Sequence, residues 1–264
     1  LDTSAPAAPA MTGITTDTGA SSSDGITSDS TLVFAGTAEA NSTVTMTRVG
    51  TGVIGTTTAD GSGNWSFDYT GHPLIGDGVY TFTATATDAA GNASSASSTF
   101  TVTEDTTPPT APTAVALTPT GGAVVANALN ATNTDLTASA TITAGQATGG
   151  KAELYIGATL IATDNSIAGG DTSVTFDIGT STTGALQLAI AAGGIATVKL
   201  YDLAGNVATS SVANPTLNVD YTAPTAPTGV TLTPVGGTVV ANSLNATNTD
   251  LTASATITAA QATG

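Results

Sequence analysis

Acidic side chains placed in loops are where this sequence has its main chemical capacity. Asp88-Ala89-Ala90-Gly91-Asn92 recurs as Asp202-Leu203-Ala204-Gly205-Asn206, each time directly after a run of alternating apolar and hydroxylated residues. Oxygen donors crowded into a tight turn can ligate a metal ion. They can equally form the turn itself, because Asp and Asn bond their own backbone and Gly supplies positive φ. The pattern alone leaves both readings open. Further acids favour the metal reading. Asp2, Asp105 and Asp220 each stand just ahead of a Thr/Pro-rich linker, and Asp17-Thr18-Gly19 and Asp24-Gly25 precede a strand-like run.

Catalytic equipment is otherwise sparse. His72 is the only histidine and lies in the turn-like Thr70-Gly71-His72-Pro73, where a surface role is expected. Without cysteine there is no disulfide, zinc-thiolate site or thiol nucleophile. A Ser-His-Asp triad lacks material, and neither G-x-x-x-x-G-K-[ST] nor G-x-S-x-G occurs. Carboxylate pairs of the glycosidase kind could be drawn from the acids, but nothing singles one out. The segment is expected to have no enzymatic activity.

Charge narrows the partners. The 264 residues carry 3 basic against 19 acidic side chains, a net charge of −16. Arg48, Lys151 and Lys199 make no basic patch, which argues against nucleic acid and against an anionic membrane surface. The longest apolar stretch, around 185–196, is too short to span a bilayer and is broken by Gly193-Gly194. No basic and then apolar leader opens the chain. The Cys-free, Thr-rich, acidic composition fits an exported bacterial surface protein.

An internal repeat sets the organisation. Asp105–Gly149 returns as Asp220–Gly264 with about 37 of 45 positions identical, and a weaker copy of the opening begins at Asp2. Units are therefore expected at 1–104, 105–219 and 220–264. The third has less than half the length needed to close a core, so a longer array is expected. Within the units, Tyr80, Phe82, Ala84 and Ala86 alternate with Thr81, Thr83, Thr85 and Thr87, and Trp65, Phe67 and Tyr69 alternate with Ser66 and Asp68. A period of two puts apolar groups on one face of a strand and hydroxyls on the other. Leu136, Ala138, Ala140 and Ile142 repeat the pattern, as do Ala196, Val198 and Leu200, between Gly/Asn/Asp clusters. Short strands at this spacing predict an all-β fold of tandem Ig-like β-sandwiches arranged end to end.

The Asp-x-Thr-x-Pro linkers, Gly36-Thr37-Ala38-Glu39-Ala40, Gly63-Asn64-Trp65-Ser66-Phe67 and Asp-x-Ala-Gly-Asn together resemble bacterial Ig-like domains. These are the tandem modules of large repetitive surface adhesins, often exported by type I secretion. The first unit matches over nearly its whole length. The second keeps the linker, the Asp202–Asn206 turn and the strand pattern. The resemblance implies an extracellular stalk stiffened by calcium between successive modules. Calcium takes six to eight oxygens. Carried over residue by residue, the first junction would gather Asp17, Asp24 and Asp77 from below, Asp105 (with Glu104 beside it) from the linker, and Asp202 from above. Asp2 and Asp88 would form half of a similar site. The junction at Asp220 departs from the pattern: Thr120 stands in place of Asp17, Gly193-Gly194 in place of Asp77, and Asn127 and Asn130 are neutral. On this reading an ion-free first junction would open and bend. The partners implied are neighbouring repeats of the same chain. Two alternatives stay open: lateral self-assembly into a fibre or surface layer through Thr-coated strands, and a module that binds a glycan or protein.

Overall fold

The computed structural model describes residues 1–72, 74, 76–122, 133–179, 194–210, 225–238 and 245–257, and the backbone of 128–130 and 218–220. The chain divides into two compact units, Leu1–Val219 and Asp220–Gly264. Every regular element among the described residues is a strand.

In the first unit, β1 (Ala10–Thr15), β3 (Val33–Thr37) and β6 (Asn64–Asp68) form one antiparallel sheet in the order β1-β3-β6. The facing sheet orders β2 (Ile26–Thr27), β8 (Phe100–Glu104), β7 (Gly78–Thr87), β4 (Thr43–Arg48) and β5 (Gly52–Thr58) as β2-β8-β7-β4-β5. The pair β2–β8 is parallel, with Ile26 opposite Thr103 and Thr27 opposite Glu104. The alternation seen in sequence is what closes these sheets. Val44, Met46, Phe82, Ala84 and Val102 point inward to meet Leu32, Phe34, Trp65, Phe67 and Tyr69. Phe34 sits at the middle, with ring centroids 4.5 Å from Phe82 and 6.2 Å from both Tyr69 and Phe100.

The same plan is built again further along. β9 (Thr113–Thr120), β11 (Asp135–Thr141) and β14 (Ser173–Asp177) form the sheet β14-β11-β9. β12 (Lys151–Ile156), β13 (Thr159–Asp164), β15 (Ala196–Tyr201) and β16 (Val207–Thr209) form β13-β12-β15-β16. The backbone of β10 (Ala128–Asn130) pairs with that of β17 (Asn218–Asp220), the counterpart of β2 with β8. This core is aliphatic: Leu117, Leu136, Leu154, Ile156, Val198 and Leu200 are buried, and Phe176 is its aromatic member. Serines complete the ladders where a strand falls short. Ser97 and Ser94 accept the N–H groups of Ala84 and Ala86 through Oγ at 3.0 and 2.9 Å, and Ser210 accepts that of Val198 at 3.0 Å.

The second unit contains the hairpin β18 (Thr228–Val235) and β19 (Asp250–Thr256). Its apolar residues Val230, Leu232 and Leu251 are 66%, 42% and 39% exposed, whereas their repeat equivalents Val115, Leu117 and Leu136 are buried.

Phe34→Ala should cost the first sandwich about 3–5 kcal/mol, since truncating a buried aromatic loses transfer energy and leaves a cavity. Urea unfolding followed by the fluorescence of Trp65 should shift accordingly. The unfolding of the second sandwich should not move.

Candidate functional site

The linker between the two sandwiches, Asp105–Pro112, is held at both ends by side chains that accept its N–H groups. Asp77, at the foot of the first sandwich, accepts Thr106 N–H through Oδ1 at 2.7 Å and the Thr106 hydroxyl at 2.8 Å, and also accepts the Thr107 hydroxyl. Bonds from Thr107 and then Thr106 hold the Asp77 carboxyl below the usual carboxylate range. Thr27 O accepts Asp105 N–H at 3.0 Å. On the far side, Gln146 Oε1 accepts Thr110 N–H at 2.8 Å, tying the linker to the second sandwich.

The turn Asp202–Asn206 meets this linker from above. Asp202 accepts Asn206 N–H through Oδ1 at 2.9 Å and the Asn206 amide through Oδ2 at 2.9 Å. That amide donates onward to the carbonyl of Asp105 at 2.7 Å. The first sandwich repeats the device: Asp88 receives the N–H and the amide of Asn92, and the amide also reaches the Asp2 carbonyl at 3.2 Å. Turn formation accounts for both oxygens of Asp88 and of Asp202. Sequence reasoning singled out the aspartates; the asparagines that grip the linker were missed. The recurrence of Asn four residues after each Asp was the available signal.

Direct contact between the sandwiches is made by the loop at Thr18–Ala20. Ala20 N–H donates to Leu203 O at 3.1 Å, and the Thr18 hydroxyl donates to Ala204 O at 2.8 Å. Asp17 lies at the base of this loop and accepts Gly25 N–H at 3.0 Å through Oδ2, while its buried Oδ1 has no hydrogen-bond partner. Burial and the charge of Asp24 push the Asp17 carboxyl up, against the Gly25 N–H. Asp24 itself accepts Ile26 N–H at 3.0 Å. Burial pushes Asp105 up as well, with the charges of Asp202 and Asp77 adding to it.

The acids therefore interact as two sets, Asp17 with Asp24 and Asp105 with Asp202 and Asp77. Among the described residues no three His, Cys, Asp or Glu side chains stand as a group able to hold one ion. Asp2 accepts Ser4 N–H at 2.9 Å. The side chain of Asp220, together with Gly193 and Asn127, lies outside the described residues, as does the side chain of Asn130. Thr120 ends strand β9, opposite Asp135, and so does not occupy a loop as Asp17 does.

Glu104 is the most buried acid at this end of the first sandwich, at 2% exposure. Its Oε2 has no hydrogen-bond partner. Burial first, then the charges of Asp77 and Asp29, push its carboxyl up, and Arg48 opposes them. Arg48 also lies over the Tyr80 ring at 4.5 Å. A cleft of about 640 Å³ opens beside the junction, lined in part by Gly19, Ala20, Lys151, Tyr201 and Asp202. Lys151 is committed there to Glu153 at 2.6 Å and lies 4.6 Å from the centre of the Tyr201 ring. Burial would raise Glu153, but bonds from Lys151, Tyr155 and Tyr201 outweigh it and hold the carboxyl low. Burial and the bond to Glu153 push the Tyr201 hydroxyl up to about 12.

Two sandwiches that share the order of the three-stranded sheet and the central pairing of the facing sheet, joined by a clamped linker, define a tandem array of β-sandwich modules. Residues 5–106 match the family model of the bacterial Ig-like domain. Among curated proteins, none matches the chain. Among solved structures, it is similar to a Ca2+-stabilized adhesin with which an Antarctic bacterium reaches out and binds ice. Identity there is 28% over 89% of this chain and 54% of that one, with a TM-score of 0.40. A 1.5-MDa bacterial ice-binding adhesin studied for its retention at the host cell surface is 27% identical over 84% of this chain and 67% of that one, with a TM-score of 0.39. A tetra-tandem repeat from the extending region of a large adhesion protein is 20% identical over 99% and 65%, with a TM-score of 0.27. The chain spans about half the length of the first of these structures.

A carboxyl whose pKa is higher folded than unfolded binds its proton more tightly in the folded state. Stability then falls as pH rises from the unfolded to the folded pKa. Glu104 is such a group, so Glu104→Gln should stabilise the first sandwich near pH 7 by on the order of 1 kcal/mol. The gain should shrink towards pH 4. Thermal unfolding of both proteins across this range, in a chelator, measures it.

Proposed function

We propose that this chain is a structural segment of a bacterial surface adhesin, an extracellular stalk built from Ig-like modules at 1–104 and 105–219 with a further repeat beginning at 220. The observation that carries this reading is the junction. Two sandwiches of one plan meet through a linker whose backbone is bonded by Asp77 below and Asn206 above. A linker held in this way transmits orientation from one module to the next, as a spacer requires. Its partners are the neighbouring repeats. The family match of residues 5–106 and the acidic, cysteine-free composition support a place outside the cell. No catalytic role is assigned to the segment.

Calcium belongs to the same proposal. The junction offers carboxylates of the right chemistry in Asp77, Asp105 and Asp202, with Asp17 and Asp24 on the adjoining loop. The unpartnered oxygen of Asp17, and the burial and neighbouring charges that raise Asp105, are what a bound cation would relieve. Asp2 and Asp88 would serve the same purpose at the head of the first module, whereas the linker at Asp220 lacks the matching acids and responds weakly. A bound ion would neutralise these charges and hold the linker to both sandwiches.

Calcium should raise the thermal stability of the chain, because an ion that binds the docked form preferentially stabilises it by mass action, by about 2.7 kcal/mol at a hundredfold excess over Kd. Asp105→Ala and Asp202→Asn should each remove most of that gain. Asp220→Ala should leave it intact. Calorimetry with calcium and with a chelator decides the matter. A gain that survives the first two substitutions, or disappears with the third, would rule this assignment out.

A further inference from the structure

We infer that the two sandwiches are locked together by neutral backbone contacts, through a pair of interlocked glycines and an asparagine clamp, so that the junction stays docked without any cation. The inference is independent of the calcium reading. It runs against the sequence expectation that an ion-free junction opens and bends.

The contact is too close for any side chain. A Cβ on Gly19 would stand 2.1 Å from Leu203 O and 2.8 Å from the carbonyl carbon of Ala204. One on Gly205 would stand 2.9 Å from the Cα of Gly19 and 3.0 Å from its nitrogen. Real Cβ atoms do not approach backbone so closely, so Gly19 is required by the backbone of Leu203 and Ala204, and Gly205 by that of Gly19. Both also have positive φ, +98° at Gly19 and +93° at Gly205, a region that residues with a Cβ rarely adopt. The interlock brings Ala20 N–H to Leu203 O and the Thr18 hydroxyl to Ala204 O. Ala204 is fully buried beneath it. Thr18 is itself fixed, since its hydroxyl accepts Ser28 N–H at 2.7 Å. The Asn206 amide closes the other side on the Asp105 carbonyl.

None of these contacts between the two sandwiches, or between the turn and the linker, uses an ionised group. Chelators leave such bonds in place, whereas a contact made of carboxylates and a metal would be lost. The first sandwich supplies an internal control. Gly91 occupies the same place in its turn as Gly205 and has φ +91°, but no heavy atom lies within 4 Å of its would-be Cβ. Gly205 serves the turn and the interface.

The test is a distance measurement on the whole chain. The sequence has no cysteine, so Thr58→Cys and Thr163→Cys place one spin label on each sandwich at exposed strand positions. In excess chelator the wild-type background should give a single narrow distance distribution. Gly205→Ala and Asn206→Ala should broaden it at least twofold. Gly91→Ala and Asn92→Ala, which alter the equivalent turn away from the interface, should leave it narrow. If Gly205→Ala prevents the second sandwich from folding, Gly19→Ala tests the same contact from the other side. A distribution that is broad in chelator and narrows only with calcium would overturn the inference. So would a Gly19→Ala protein as narrow as the wild type.

Discussion

The bond from an asparagine amide to the first carbonyl of a linker determines how each sandwich receives its chain. A linker leaves the ladders of one module before it joins those of the next, and its backbone groups still need partners. Asn206 gives the Asp105 carbonyl one, and Asn92 does the same for Asp2. The amide is oriented by the aspartate at the start of the turn, and the turn is placed by the strands on either side of it. A local turn thereby sets the direction in which a whole module continues. The aspartate oxygens spent on this task are the ones a metal reading would also claim.

Electrostatics at the two ends of the first sandwich follow from having so few cations. Arg48 lies over Tyr80, Lys151 over Tyr201 and Lys199 over Tyr155, each at about 4.5 Å from the ring centre. All three basic side chains are thus stacked on rings. Most acids must be satisfied by N–H and O–H donors, and their pKa values separate accordingly. Those ringed by donors, such as Asp77, Asp60 and Asp68, are held low. Those that are buried beside other acids, Asp17, Glu104 and Asp105, are pushed up. The raised group lies at the junction side of the first module.

Strands with a period of two were legible because the same alternation that marks them in sequence is what faces them inward. Phe82, Ala84 and Ala86 on β7 and Ala196, Val198 and Leu200 on β15 are cases in point. β5 was less so. Its Gly-Val-Ile-Gly-Thr-Thr-Thr lies at a sheet edge with no buried residue, so burial leaves no period to read. The repeated loop acids Asp88 and Asp202 were legible as turn residues, each closed by an Asn four residues on. Their roles at the junction were not, because the deciding bonds are long-range. Asn206 reaches a carbonyl 101 residues away, and Thr18 one that is 186 residues away. No local pattern reports such a contact.

The parallel pair β2–β8 bears on how a module responds to being pulled. β2 lies near the start of the first sandwich and β8 at its end, and the two run side by side in the same direction. Gly25 O accepts Thr103 N–H at 2.8 Å, and Thr27 O accepts Asp105 N–H at 3.0 Å. Tension drawn along the chain slides such strands past each other, so their bonds bear load at the same moment instead of opening in succession. The second of those bonds ends on the residue whose carbonyl Asn206 grips. Force leaving the first module therefore passes into the second through one residue, anchored by its N–H on one side and by its carbonyl on the other.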